Sequence, residues 1–90
     1  MRLVSYAGGN FVTSDVVADA LLDYAAALGN AHHAAAIVVP AVGLGQIRLL
    51  VGPASQLLSV PVQDTRNEPD GAEFTADIEA RIAQMRGWES

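Results

Sequence analysis

Three aspartates, Asp15, Asp19 and Asp23, are spaced four residues apart, so on a helix they share one stripe. Three carboxylates in a stripe could hold a divalent cation, but the sequence supplies neither the further oxygen ligands nor the glycine-bearing loop of a calcium site. The stripe therefore reads as a solvated helix face, on which Asp19 and Asp23 repel weakly. His32 and His33 are adjacent. Neighbours diverge in a strand, and the i, i+4 spacing of a helical zinc site is missing. They read as a helix C-terminus, where partial positive charge is favoured. Arg48 is a guanidinium able to anchor a carboxylate or phosphate if it meets a pocket. His32, His33 and Arg48 are thus the candidate ligand-binding residues, with Asp23 as a carboxylate that could join them. No catalytic set and no metal set is assembled by these spacings.

Two further motifs fall short of their chemistry. Gly52-Pro53-Ala54-Ser55-Gln56 lacks the second glycine and the following helix of a nucleophile elbow. Gly43-Leu44-Gly45 lacks the third glycine and the following helix of a dinucleotide site. Both read as turns. The absence of cysteine removes disulfides, cysteine-ligated zinc, iron–sulfur clusters and thiol nucleophiles. The absence of lysine removes the Walker-type phosphate lysine and Schiff-base chemistry. A net charge of −5 argues against nucleic acid and anionic membrane as partners, and no cofactor motif is found.

The elements that must position these residues follow from periodicity. Arg2 to Tyr6 reads as a strand, Gly8-Gly9 as a reversal, and Phe11-Val12 as a stub pairing back. Thr13 or Ser14 caps a helix that Gly29 stops. Val16, Val17, Ala20, Leu21, Tyr24, Ala27 and Leu28 recur so as to form one helical face. Ile37-Val38-Val39, then Ile47 to Val51, then Leu57 to Gln63 read as three strands of an antiparallel meander. Residues 64–71 have loop composition, and a last helix over 72–86 is expected to dock on the sheet through Phe74, Ile78, Ile82 and Met85. The reading is a single α+β domain over residues 1–90. It has two layers, a mainly antiparallel sheet of three to five strands and two helices in the order β(β)-α-β-β-β-α. This order is similar to that of the profilin-like small domains, including the Roadblock type, a likeness of arrangement that implies a layered fold and no function.

Hydrophobic residues make up 51% of the 90 and charged residues 17%, where about 25% charged is usual. Residues 24–63 hold a single formal charge, Arg48, while residues 64–90 hold ten with a net of −4. A two-layer domain leaves one sheet face in water, and that face is normally polar. Here it is expected to present Leu50, Leu57 and Pro61, an apolar patch that a second copy of the chain covers, giving a homodimer. The expected function is a non-enzymatic cytoplasmic module that associates with itself, and with another protein through the acidic C-terminal segment. A subunit of a larger assembly would also explain the bare sheet. The alternative is a small-molecule binder or small enzyme with a site at the dimer seam.

Overall fold

The computed structural model of the chain describes residues 1–6, 9–53, 56–64 and 66–88, the last three by backbone alone. Its elements are β1 (Arg2–Tyr6), β2 (Gly9–Thr13), α1 (Asp15–Ala31), β3 (Ala35–Ala41), β4 (Gly45–Val51), β5 (Leu58–Pro61) and α2 (Ala72–Trp88). This is a small α+β domain with the expected order of elements. The Gly8 reversal, Ser55 and the side chain of Trp88 lie outside the described residues. No described helix is long and apolar enough to cross a membrane.

The strands form two antiparallel sheets, β2-β1-β5 and β3-β4. The expected meander is thus only half present, because β5 pairs with β1 rather than with β4, setting Arg2 opposite Pro61 and Leu3 opposite Val60. Six residues separate β4 from β5, more than the tight hairpin loop that would hold consecutive strands side by side. β1 has one edge filled by β2, and its other edge accepts β5. The two sheets meet where β2 approaches β3. The Val42 amide donates to the Val12 carbonyl at 2.8 Å, and the Thr13 hydroxyl donates to the Pro40 carbonyl at 2.8 Å. Thr13 is fully buried. Thr13→Val keeps its shape and removes that donor, so it is expected to cost about 1–3 kcal/mol, seen as a lower urea midpoint at unchanged slope.

Strand alternation sends Val4, Phe11, Ile37, Val39, Ala41, Leu49 and Val51 to one side, where they meet Val17, Leu21, Tyr24 and Leu28 of α1. The Ser14 hydroxyl accepts from the Val17 amide at 3.2 Å and caps α1. Val16 leaves the expected apolar face and is 57% exposed. In the sheet, Tyr6 lies over Gly9, its register partner: a Cβ at Gly9 would stand 3.3 Å from the Tyr6 hydroxyl oxygen. The Tyr6 ring also leans on Phe11, with centroids 6.0 Å apart.

α2 departs from expectation in two ways. It continues through Gly87 to Trp88, and it packs chiefly along α1 instead of docking on the sheet. Gly71, just before α2, stands beside Ser14 and Val17 at the start of α1. Arg81 reaches Tyr24, and Met85 shares a cleft with Leu28, so the two helices run parallel. The loop after β5 makes this possible by carrying the chain back to the start of α1. Glycine is required at position 71, because a Cβ there would stand 2.7 Å from Val17 Cγ2.

Candidate functional site

The outer side of the β2-β1-β5 sheet is built from six positions: Asn10 and Val12 on β2, Leu3 and Ser5 on β1, Leu58 and Val60 on β5. The neighbours Val4 and Phe11, between these positions along β1 and β2, point into the core, so alternation turns these six away from α1. Val12, Leu3 and Val60 stand directly opposite one another and make an apolar row across all three strands. Leu58 is 61% exposed beside it. None of the six carries a charge. On the β3-β4 hairpin the positions of the other phase are Ala36, Val38, Pro40, Gln46, Arg48 and Leu50; Val38, Pro40 and Gln46 line a cleft with Asp70, Glu73, Phe74 and Asp77 at the start of α2, while Leu50 is 75% exposed.

The candidate interface residues fall differently from one another. Leu50 is on the exposed outer face, as expected. Leu57 packs against the core instead, and Pro61, though exposed, lies on the phase of the strand that faces inward with Ser59. The last strand reads Leu-Leu-Ser-Val-Pro-Val, apolar in both phases, so its outward set is Leu58 and Val60. Sequence reasoning missed Leu3, Val12, Leu58 and Val60. The available signal was the doubling of apolar residues, Leu3-Val4 and Phe11-Val12, in strands that need only one apolar face.

His32 and His33 close α1. His32 adopts the left-handed conformation at φ 56° and ψ 38°, its amide donating to the Gly29 carbonyl at 3.3 Å and the His33 amide to Leu28 at 3.0 Å. This is a Schellman cap. Gly29 therefore lies inside the helix, and the helix ends two residues later than expected. Arg48 is exposed opposite Val38 on the hairpin. The three candidate ligand-binding residues are not brought together: His33 lines a cleft of about 200 Å³ that includes neither His32 nor Arg48. That cleft instead joins His33 to Tyr24 and Leu28 of α1 and to Arg81, Gln84 and Met85 of α2. Arg81 lies 6.0 Å from the centroid of the Tyr24 ring and donates to Asp77 at 2.9 Å. The Tyr24 hydroxyl, and behind it Asp77, raise the affinity of Arg81 for its proton.

The aspartate stripe divides. Asp15 is bridged by the Met1 amino group at 3.3 Å and by Arg2 at 3.5 Å. Asp19 and Asp23 face Glu79 across a groove of about 270 Å³ between the helices. Among the described residues no group of three potential metal ligands is close enough to hold an ion. In the acidic segment, hydrogen bonds from Arg66 hold the Asp64 carboxyl at about 2, and the Arg66 guanidinium rests against Gly43 of the hairpin turn. Gly43 has φ +76°, so only glycine serves both the turn and this close approach. Compared with known proteins, the chain matches no family model, no curated protein and no solved structure, and its reading rests on this geometry.

Proposed function

We propose that the chain is a non-enzymatic, self-associating module in which two copies pack through the outer face of their sheets. The observation that carries this is the uncharged apolar row of Val12, Leu3 and Val60, flanked by Leu58. A soluble monomer normally fills such positions with polar residues, and an exposed apolar patch marks a contact surface. Size decides how much of the face takes part. Three strands about 4.8 Å apart and five residues of about 3.4 Å make a flat footprint of only about 250 Å². Stable interfaces cover about 800 Å² per partner. The interface must therefore extend beyond this row, the exposed Leu50 of the hairpin being the extension proposed, and the affinity belongs to the weak, micromolar end. A cytoplasmic location is part of the same proposal.

Sedimentation at tens of micromolar is expected to return twice 9.4 kDa, and a mass of 9.4 kDa at that concentration would end the proposal. Val60→Asp is expected to give monomers, because it sets a charge against the partner's apolar row at a cost of several kcal/mol. Leu50→Asp is expected to weaken the dimer less. A dimer unaffected by either change moves the interface to another surface.

A further inference from the structure

We infer that the cleft between the C-terminal halves of α1 and α2 binds a small monocarboxylate with an aromatic or branched apolar tail. This goes beyond self-association and uses none of the outer-face residues, so either idea can fail without the other.

The cleft has about 200 Å³, room for about seven waters at ~30 Å³ each. Its floor is apolar, made by Leu28, Met85 and the Tyr24 ring, all nearly fully buried. Methionine in such a floor adapts to tails of differing shape. Each of Arg81, Gln84 and Tyr24 at the cleft can offer at least one hydrogen-bond donor. Arg81 carries five N–H groups, of which Nε is engaged by Asp77 at 2.9 Å and Nη1 reaches Tyr24 Oη at 3.5 Å. The other Nη hydrogens remain for a ligand, and a guanidinium edge fits a carboxylate with two parallel bonds. Since Tyr24 Oη accepts from Arg81, its own hydrogen is left to donate. Gln84 follows Arg81 at i+3 and shares its side of the helix, adding an amide N–H.

Charge selects one negative charge rather than two. The site lies toward the C-terminal ends of both α1 and α2, whose dipoles disfavour anions and set themselves against a second negative charge, and the chain has no lysine to hold a phosphate. The Leu28 and Gly29 carbonyls are already engaged by the His33 and His32 amides, which lessens that opposition. Among the described residues no carboxylate lines the cleft itself. Among the described residues the carboxylate on Arg81 is Asp77, on the Nε side, and it competes with the ligand for the guanidinium.

The test is an amide-shift titration of the ¹⁵N-labelled full chain with sodium benzoate, and with benzamide as a neutral match in shape. Benzoate is expected to give saturable shifts centred on Tyr24, His33, Arg81 and Gln84, with benzamide roughly tenfold weaker. Arg81→Gln is expected to weaken benzoate roughly tenfold or more. Asp77→Asn is expected to tighten benzoate several-fold, because it removes the competing carboxylate. Absence of saturable shifts at these residues, equal binding of benzamide, or weaker or unchanged binding by Asp77→Asn overturns the inference. Should Arg81→Gln not fold, the sign of the Asp77→Asn effect decides alone.

Discussion

Leu21→Ala is expected to destabilise the fold by about 2–5 kcal/mol. Leu21 is fully buried and, with its isomer Ile78, is among the largest described side chains that are so. It sits in the middle of α1, the helix that both the sheets and α2 pack against, so the groups around it belong to separate elements and cannot close the cavity by one local shift. A domain of this size has about 5–13 kcal/mol in total, so the loss is a large fraction of the whole. At about 4–8 °C per kcal/mol for a chain of this length, the melting temperature should fall by 10 °C or more. Because association would add to stability by mass action, wild type and variant must be compared at equal concentration. A fall of only a degree or two would mean that α1 is not the centre of the core.

The second large effect has opposite signs at two glycines. A Cβ at Gly29 or at Gly45 would meet nothing within 4 Å, so sterics with neighbours do not separate them. Backbone conformation does. Gly29 lies within α1, where alanine is better than glycine by about 1 kcal/mol. Gly45 has φ +73°, where a side chain costs about 1–2 kcal/mol. Gly29→Ala should raise the melting temperature and Gly45→Ala should lower it, each by several degrees. His32 extends the argument, since it holds φ 56° without being glycine. His32→Gly removes that strain and should add up to about 1 kcal/mol. Residues 29 and 32 share one cap, so the double variant need not equal the sum of the singles. Equal signs at Gly29 and Gly45 would contradict the described end of α1 or the described turn.

These glycines also mark what could be read beforehand. The types and order of the elements were legible because each carries a local signal: the Val17–Leu28 period, the β-branched run at 37–39, and the loop composition of 64–71. The end of α1 was not, because a glycine is the usual left-handed residue and Gly29 preceded the histidine that takes that role. The partners of β5 and α2 were not legible either. Both are decided by where loops return the chain, and neither loop carries a pairing signal. The phase of β5 was ambiguous for a different reason. A one-residue slip exchanges the faces of a strand, and a segment apolar in both phases gives no preference, so Leu57 was exchanged for Leu58 and Pro61 for Val60. At the cleft between the helices, His33 was legible as a candidate, but its neighbour Arg81 was not, since it is one of the ten charges of residues 64–90 and lies outside the docking set Phe74, Ile78, Ile82 and Met85.

The pairing of β5 with β1 also orders events in time. Leu3 and Val60 are register partners 57 positions apart, whereas the hairpins β1-β2 and β3-β4 join neighbouring segments. Closing a loop of that length carries an entropic cost near (3/2)RT ln n, about 3.5 kcal/mol, before any contact repays it, so this strand pair forms after the hairpins have closed. Leu58 and Val60 arrive with it. The Val12–Leu3–Val60 row is therefore incomplete until β5 has joined β1, so the proposed self-association through it would have to follow that step.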